Sequence, residues 1–514
     1  MSGHLFIYRG DLTKLACDGW LMPTDYLLRV EDYWLKPEPP GFQEALQSLR
    51  ESRCKGWKKG DERVLPVPFW PDDRSRPWLV NIIYRKKERL IEAVEAFVDK
   101  ALLHAPKPIN ERERHLFAIP VISTGFGGGA KVKGQVINTL VRDLTKLVAR
   151  RNIDLALVTY TAPALAAAQK ARFETRFSWP ELSPELSDKA RKLARVGVEQ
   201  GLALFLGAGV SCSAGLPSWN GLLEKLATQI GITKGELKEF GQLDVLDRGS
   251  VLERRFRARK QDVNDRIADI FSRTWDHSLL HGLLACLPAS EIITQNYDRL
   301  FEVAAEGAGE PVATLPYTPG DVHNRWLLKM HGCVSVPEDI VIRREDYLRY
   351  SERRAALAGI VQATMLTRHM LFVGFSLRDG NFHRAVDDVR RALGSNKRNR
   401  LGTALFLAPS ALTAELWQTE LDIVHFADKA AGTTAAAARK LEIFMDCLLG
   451  HCGSNTGHLL DPTFSHLLSP PEEELKEALL GLQTRLSEDS RNTVAWSKVQ
   501  ELLLSLGWAE DEEA

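Results

Sequence analysis

The residues best suited to chemistry are polar side chains that follow short apolar runs at four places in the chain. Residues 202–219 read LALFLGAGVSCSAGLPSW, residues 291–298 read EIITQNYD, residues 327–332 read LLKMHG, and residues 370–376 read MLFVGFS. Each apolar run predicts a buried strand, and open α/β sheets bind ligands at the carboxyl ends of their strands. We therefore expect one site built from these four strand ends.

The first of these segments has the composition of a phosphate-binding turn. Gly207 and Gly209 would let the backbone approach a diphosphate, and a helix opening over Ser211 to Gly215 would offer unpaired N–H groups to anionic oxygens. The third glycine of the dehydrogenase fingerprint is missing, and so is an acidic strand end about 20 residues later. Hydride transfer is therefore disfavoured, and a tight turn that binds nothing is the alternative.

Taken together, the four segments resemble the sirtuin family. GAGVSCSAGLPSW is similar to its nucleotide-binding signature, TQNYD to its Thr-x-Asn-x-Asp motif, KMHG to its catalytic histidine segment, and GFS to its ribose-binding Gly-x-Ser. The resemblance covers roughly residues 185 to 450 and implies that NAD+ is bound. The residues that it implies for binding the nucleotide are Gly207, Ala208, Gly209, Ser211, Gly215, Pro217, Trp219, Thr294, Asp298, Gly374, Phe375 and Ser376.

One departure from the sirtuin pattern bears on the reaction. Sirtuin deacylases hold a structural zinc through paired C-x-x-C motifs. The cysteines of this chain are scattered, and helical segments 220–230 and 261–272 are expected where the zinc module would lie. We therefore expect no zinc. The chain then resembles the divergent sirtuin-like proteins of bacterial antiviral systems, which hydrolyse NAD outright.

Hydrolysis of the nicotinamide–ribose bond develops oxocarbenium character at the ribose, so the enzyme must orient the ribose and deliver a water. The Asn296 carboxamide can hold a ribose hydroxyl and a water together. A neutral His331 imidazole can accept a proton near physiological pH, although outside its motif this residue would be interpreted as a core histidine. Asn296 and His331 are the predicted catalytic residues. Asp298 either binds the ribose or caps the helix expected at residues 298–304, and the cap is favoured.

The first third of the chain carries a fainter nucleotide signature. FIYRGDLTKLACDGWLMPTD predicts a strand, a turn and a second apolar stretch, and VISTGFGGGAKVKG predicts a strand followed by a Gly-rich loop that can direct N–H groups at phosphates. Together they resemble the macrodomain family, whose members bind ADP-ribose. The resemblance spans about residues 1 to 175 and implies ligand contacts from Asp11, Ser123, Thr124, Gly125, Phe126, Gly127 and Gly128.

Two segments depart from the macrodomain pattern. Residues 23–25 read Pro-Thr-Asp where that family carries an Asn pair, and WLKPEPPGFQEAL replaces its first Gly-rich loop. Hydrolysis of an ADP-ribose substrate is therefore disfavoured. We expect a module that binds or senses an ADP-ribose-type ligand, and a macro-like scaffold without a ligand is the alternative.

Composition excludes several other classes of protein. Lys+Arg and Asp+Glu both number 67, so no global positive field is available to capture nucleic acid, and the basic stretches at residues 254–260 and 390–400 are interpreted as solvated helix faces and a loop. No secretion signal is evident, and residues 355–375 predict a helix joined to a strand rather than a membrane span. Few, unpatterned cysteines indicate a reducing cytoplasm.

The predicted fold class is α/β, with more than one domain in 514 residues. A macro-like three-layer α/β/α domain (1–175) and a linker (176–184) precede a Rossmann-like sirtuin domain with a helical insertion (185–450). A loop and a helical C-terminal tail follow (451–514). The leucine stripe of the tail packs on its own domain or joins chains, and it is the candidate contact for a homo-oligomer.

The leading hypothesis is an NAD+ glycohydrolase that releases nicotinamide and ADP-ribose. By resemblance it would deplete NAD in infected bacteria, gated by an ADP-ribose-type ligand on the N-terminal module or by a defence-system partner protein. Two alternatives stay open: a sirtuin-type protein ADP-ribosyltransferase or deacylase, which needs a protein acceptor, and a non-enzymatic NAD or ADP-ribose sensor, which binds without turnover. No membrane and no nucleic acid are expected as partners.

Overall fold

The computed structural model describes residues 2–25, 27–35, 41–52, 63–67, 70–71, 74–82, 88–122, 133–174, 179–318, 324–394, 400–427, 433–453 and 456–508. The chain forms two compact units. The first contains Met1–Ile109, Arg114–Ser183 and Leu449–Ala514, and the second contains Asn110–Glu113 and Pro184–Leu448.

Within its described residues, the first unit contains a six-stranded mixed sheet. The strands are β1 (Leu5–Arg9), β2 (Gly19–Thr24), β3 (Val64–Pro66), β4 (Pro77–Asn81), β5 (Leu116–Pro120) and β6 (Asp154–Thr159). They lie in the order β1-β6-β5-β2-β4-β3, and every pair is parallel except β3 with β4. The sequence predicts a strand at the start of VISTGFGGGAKVKG; β5 ends one residue earlier, at Pro120, which pairs with Val158 of β6, and residues 123–132 lie outside the described residues.

The helices of the first unit lie in its N-terminal part and in its C-terminal segment. They are Phe42–Ser52, Glu88–His104, Lys133–Arg151, Ala162–Glu174, Pro470–Arg485, Glu488–Arg491 and Val494–Ser505. The C-terminal segment joins the core of this unit through Phe464 and Leu467, which pack among the apolar side chains of the sheet and of Lys133–Arg151. Gly134 makes room for this contact, since a Cβ there would lie 2.8 Å from Cγ of Leu467.

The described part of the second unit contains a seven-stranded parallel sheet. Its strands are β7 (Leu202–Leu206), β8 (Glu291–Thr294), β9 (Ala313–Leu315), β10 (Trp326–Lys329), β11 (His369–Val373), β12 (Gly402–Phe406) and β13 (Leu421–His425). Their order is β13-β12-β11-β7-β8-β10-β9. The four strands predicted before the polar motifs are confirmed as β7, β8, β10 and β11.

Strand register brings the ends of these four strands into one row. Val373 of β11 pairs with Leu206 of β7, Leu206 pairs with Thr294 of β8, and Thr294 pairs with Lys329 of β10. Each of these residues is the last of its strand, so the four motifs leave the sheet side by side at one edge.

Helices connect the strands of the second unit. They are Pro184–Val198, Gly209–Cys212, Trp219–Gln229, Lys234–Gln242, Val245–Ala258, Val263–Phe271, Leu279–Ala285, Leu300–Gly307, Arg344–Leu348, Tyr350–Arg353, Ala355–Thr367, Gly380–Leu393, Ala411–Trp417 and Thr434–Cys452. Three of them confirm predicted helical segments: Trp219–Gln229, Val263–Phe271 and Ala355–Thr367. None of the helices in the described ranges has the length and apolar character needed to cross a bilayer.

Candidate nucleotide-binding site

The turn after β7 is joined closely to the turn after β11. The backbone N–H of Gly207 donates to the carbonyl of Val373 at 3.0 Å, and that of Gly209 donates to Gly374 at 2.9 Å. A Cβ on Gly207 would lie 2.4 Å from the Gly374 oxygen, and a Cβ on Gly374, whose φ is +64°, would lie 2.5 Å from the nitrogen of Val210. These glycines are therefore required by the contact between the two turns.

The same turn corrects one prediction. The helix expected over Ser211 to Gly215 is instead a single turn at Gly209–Cys212, because Gly215 adopts a φ of +88° that a helix does not contain. Its N–H groups are also engaged: Val210 donates to Gly207, and Ser211 and Cys212 donate to Ala208. The glycines therefore shape the site mainly by leaving space for the neighbouring turn.

The carboxamide of Asn296 is fixed by the turn after β7. Its Nδ2 donates to the carbonyl of Gly207 and to Oγ of Ser211, both at 3.1 Å. Its backbone N–H donates to Oγ1 of Thr294, which itself donates to the carbonyl of Leu206. Because both amide hydrogens are used, Oδ1 is the free end of the group, and it accepts no hydrogen bond from the described residues. Asn296 therefore offers an oriented acceptor at the sheet edge.

Ser211 links Asn296 to two further buried side chains. The Ser211 hydroxyl donates to Oδ2 of Asp298 at 2.8 Å. Nε2 of His281 lies 3.4 Å from Oγ of Ser211. A hydroxyl has one hydrogen, so Asn296 and His281 must both donate to it. His281 accordingly carries its hydrogen on Nε2, while Nδ1 accepts from the N–H of Ser278. Burial holds the pKa of His281 well below its usual value, so the ring is neutral.

Sequence reasoning missed His281. The pattern Ser278-x-x-His281 at the start of an apolar helix forms a capping box, in which each side chain bonds the backbone of the other residue. That pattern indicates a helix start, but not a contact with Ser211.

Asp298 performs two tasks. One carboxylate oxygen accepts the N–H of Leu300 at 3.0 Å, and the other holds Ser211. The helix begins at Leu300 with Arg299 as its N-cap residue, so Asp298 stands one position before the cap and holds the first N–H of the helix. Lys329 of the KMHG motif donates to the carbonyl of Asp298 and pairs with Glu302 at 2.9 Å. Burial is the largest single influence on the pKa of Lys329 and lowers it, but Glu302, Cys333 and Asp298 together raise it, and the net direction is upward.

A cleft of about 40 Å³ opens over this network. Six of the predicted nucleotide-binding or catalytic residues line it together with four others, and one wall is apolar because the ring of Trp219 lies 6.0 Å from that of Tyr297. The predicted lining residues are Ala208, Ser211, Pro217, Trp219, Asn296 and Asp298, and the others are Leu222, Phe271, Gln295 and Tyr297.

Two residues after β11 have different surroundings. The Phe375 side chain is buried in the core, with its ring 4.6 Å from that of Phe205 and 5.1 Å from that of Phe382. Only its backbone faces the turn after β7. Ser376 is exposed.

His331 lies at the same edge but in its own buried environment, and it is not among the residues that line the cleft. It stands two residues beyond β10, as Asn296 stands two residues beyond β8. Its Nε2 has no hydrogen-bond partner among the described residues and lies 3.6 Å from Oδ2 of Asp379. Burial, opposed by Asp379, lowers the pKa of His331, so the imidazole is neutral at physiological pH.

Asp379 and Tyr347 complete the surroundings of this histidine, and sequence reasoning missed both. The Tyr347 hydroxyl donates to Oδ2 of Asp379 at 2.8 Å, and its ring meets that of His331 edge to face at 5.4 Å. The other Asp379 oxygen caps the helix Gly380–Leu393 through the N–H of Phe382.

Among the described residues, no group of His, Cys, Asp and Glu side chains could hold a metal ion. Cys212 and Cys333, the described cysteines beside the nucleotide-binding motifs, form no disulfide.

In the first unit, Asp11 stands two residues beyond β1. Its Oδ1 accepts the N–H and the hydroxyl of Thr13 at 2.9 and 2.7 Å. Register places the ends of β1 and β5 at the same edge through β6, with Arg9 beside Thr159 and Pro120 beside Val158. The other residues predicted to contact a ligand there, Ser123, Thr124, Gly125, Phe126, Gly127 and Gly128, lie outside the described residues.

Comparison with known proteins finds a family match over part of the second unit. Residues 290–423 match the family model of a SIR2-like domain. That region contains both Asn296 and His331, together with Gly374 and Asp379.

Individual relatives align over about two fifths of the chain. The protein named NAD(+) hydrolase ThsA from Bacillus cereus (strain MSX-D12) is 31% identical over 207 residues, which are 39% of this chain and 42% of that protein. The ThsA of Enterococcus faecium is 32% identical over 208 residues, with the same shares of the two chains. Defense-associated sirtuin 2 of Bacillus subtilis is 25% identical over 198 residues, 37% of this chain and 19% of that protein. The chain thus spans less than half the length of these relatives.

Proposed function

We propose that the second unit is an NAD+ glycohydrolase, which cleaves the nicotinamide–ribose bond to give nicotinamide and ADP-ribose. The observation that carries this proposal is the Asn296 carboxamide, whose two hydrogens are bound by Gly207 and Ser211 so that Oδ1 remains as the acceptor. The relatives named NAD(+) hydrolase support the reaction, because the SIR2-like match includes Asn296 and His331.

The reaction needs no acid for its leaving group. When the bond between the ribose carbon and the nicotinamide nitrogen breaks, its electron pair neutralises the positive charge of that nitrogen, and the ribose gains oxocarbenium character. Oδ1 of Asn296 accepts a hydrogen bond from the ribose or from the attacking water. The neutral imidazole of His331 takes the proton that the water loses as its oxygen bonds to the ribose carbon. The apolar wall at Trp219 and Tyr297 limits access of bulk water to this step.

For the first unit we propose a macro-like module that binds an ADP-ribose-type ligand and gates the hydrolase. The ends of β1 and β5 lie at one sheet edge, where ligands of such sheets bind, and Asp11 stands at that edge. A control element fits the chemistry, since unregulated cleavage of NAD would harm the host cell. The names of the relatives support a role in defence through NAD hydrolysis.

A homo-oligomer is part of the same proposal. The helices Pro470–Arg485 and Val494–Ser505 leave about half of several leucine side chains exposed. These side chains are Leu475 (50%), Leu482 (45%), Leu502 (52%) and Leu504 (49%). A contact between chains would cover them.

The test is release of nicotinamide from NAD+ by the full chain without any protein acceptor. We expect Asn296→Ala and His331→Ala to lower turnover by about 100-fold or more, the usual contribution of a positioned acid–base group. The matched controls Asn324→Ala and His466→Ala change exposed residues and should leave it unchanged. Release that requires an added protein would favour the transferase. Tight NAD+ binding without release, with or without added ADP-ribose, would favour the sensor.

A further inference from the structure

A second cleft in the helical part of the second unit carries three arginine side chains. Arg259, Arg266 and Arg273 line this cleft of about 240 Å³, which we call the arginine cleft. Its carboxylate, that of Asp269, is paired with Arg266 at 3.2 Å. Neither Arg259 nor Arg273 has a carboxylate within ion-pair distance among the described residues. The lining therefore carries a net positive charge.

The chemistry of the lining suits a phosphate. Guanidinium groups bind phosphate oxygens through two parallel N–H donors, and the side chains of Gln229 and Gln261 add further N–H donors. Phe256 and Ile270 supply an apolar patch beside them. We propose that the arginine cleft binds a small molecule that carries a diphosphate group.

The turn at Gly231 leaves space for the side chain of Arg259. Gly231 ends the helix Trp219–Gln229 with a φ of +75°, and a Cβ there would lie 3.2 Å from Nη2 of Arg259. The missing side chain leaves the space in which the guanidinium lies. Arg259 follows the end of the helix Val245–Ala258, and its exposed side chain lines the arginine cleft.

Two helices connect the arginine cleft to the nucleotide cleft. Trp219 and Gln229 are the two ends of one helix, and Trp219 lines the nucleotide cleft while Gln229 lines the arginine cleft. Ile270 and Phe271 are adjacent in the second helix and are divided between the two clefts in the same way. Both helices share one apolar core. A ligand that orders them in the arginine cleft therefore favours NAD+ binding, a consequence that rests on the proposed function.

The first test measures binding of inorganic pyrophosphate to the full chain by titration calorimetry. We expect the double variant Arg259→Gln, Arg273→Gln to bind it about 10-fold or more weakly, because each lost charge-assisted hydrogen bond weakens binding by that order. The control Arg254→Gln removes an exposed charge on the neighbouring helix, outside the cleft, and should bind as the wild type does. Any pyrophosphate that binds in the nucleotide cleft does so equally in the wild type, the double variant and the control. The test is therefore the difference in affinity between these three proteins.

Equal pyrophosphate affinity in the wild type and the double variant, or no binding to either, overturns the proposal. A second readout is the KM for NAD+, which pyrophosphate should lower by about 3-fold in the wild type relative to the double variant. The two proposals fail separately: binding that is lost in the double variant supports the arginine cleft even if no nicotinamide is released. Nicotinamide release with no such difference in binding leaves the hydrolase in place and removes the arginine cleft.

Discussion

The Asp379 carboxylate lies 3.6 Å from Nε2 of His331, and the oxygen involved is the one that accepts the Tyr347 hydroxyl. Both side chains are almost fully buried, with exposed fractions of 9% and 4%. The separation is longer than a hydrogen bond, and catalytic contacts of this kind often shorten when a substrate is bound. Asp379 is thus placed to orient the imidazole and to oppose the effect of burial on its pKa.

Replacing Asp379 with Asn should move the pH profile of the hydrolase. Burial lowers the pKa of His331 and the Asp379 charge raises it, so removing the charge lowers it further. The acidic limb of kcat/KM should therefore shift to lower pH, and turnover should fall about 10-fold as the ring loses its orientation. Asn still caps the helix, which separates this effect from unfolding. Asp262→Asn, at another helix cap of the same unit, is the matched control. An acidic limb that does not move would assign Asp379 to the cap alone.

Replacing Ser211 with Ala should impair both stability and turnover. The change removes the acceptor of Asn296 and His281 and the donor to Asp298, so buried polar groups lose their partners. We expect the free energy of unfolding to fall by about 1–3 kcal/mol. At temperatures where the variant stays folded, nicotinamide release should still fall, because the Asn296 carboxamide is no longer fixed by Ser211. Ser213→Ala, whose hydroxyl bonds only a local carbonyl, is the control for urea unfolding and for the rate.

Replacing Gly207 with Ala tests the contact between the two turns. The added Cβ would lie 2.4 Å from the Gly374 oxygen, which is backbone and cannot move alone. We expect separation of the turns and loss of NAD+ binding. Gly235→Ala is the control, because a Cβ there meets open space within a helix and should stabilise the protein by about 0.5–1 kcal/mol. Calorimetric titration with NAD+ checks the first variant, and binding equal to that of the wild type would show that the turns tolerate the methyl group.

The strand ends could be predicted from the sequence because their signal is local. The run from Leu202 to Leu206 is apolar and is followed at once by Gly207, and β8, β10 and β11 show the same change from apolar to polar residues. Parallel pairing then fixes that these ends share one edge. The position of Asn296 at this edge therefore follows from the sequence alone.

The partners of these residues could not be predicted because distant segments bring them together. His281 reaches Ser211 across 70 positions of sequence, and Tyr347 reaches Asp379 from another helix. Phe375 follows a strand end, as a ligand contact would, but its ring packs against Phe205 in the core. Which side of the turn a side chain takes depends on packing that a short motif does not encode.

His458 should make the first unit sensitive to mild acid. Burial lowers its pKa to about 4 from 6.5, and neither ring nitrogen has a hydrogen-bond partner among the described residues. The unfolded chain therefore binds this proton at a higher pH than the folded chain does. The contribution to stability is complete above pH 6.5 and is lost as the pH falls from 6.5 to about 4. Glu472, whose pKa is lowered to about 2, acts below pH 4.5 and so overlaps with this range only between pH 4.5 and about 4.

The variant His458→Leu isolates this effect. It keeps an apolar side chain beside Phe464 and removes the titrating group, so the difference in Tm between the variant and the wild type should grow as the pH is lowered through this range. The other titratable groups are the same in both proteins, so their contributions cancel in this difference in Tm. His466→Leu changes an exposed histidine in the same segment and controls for the loss of an imidazole. A difference for His458→Leu that stays constant between pH 6.5 and about 4 would mean that the pKa of His458 is not lowered in the folded protein, which contradicts the prediction.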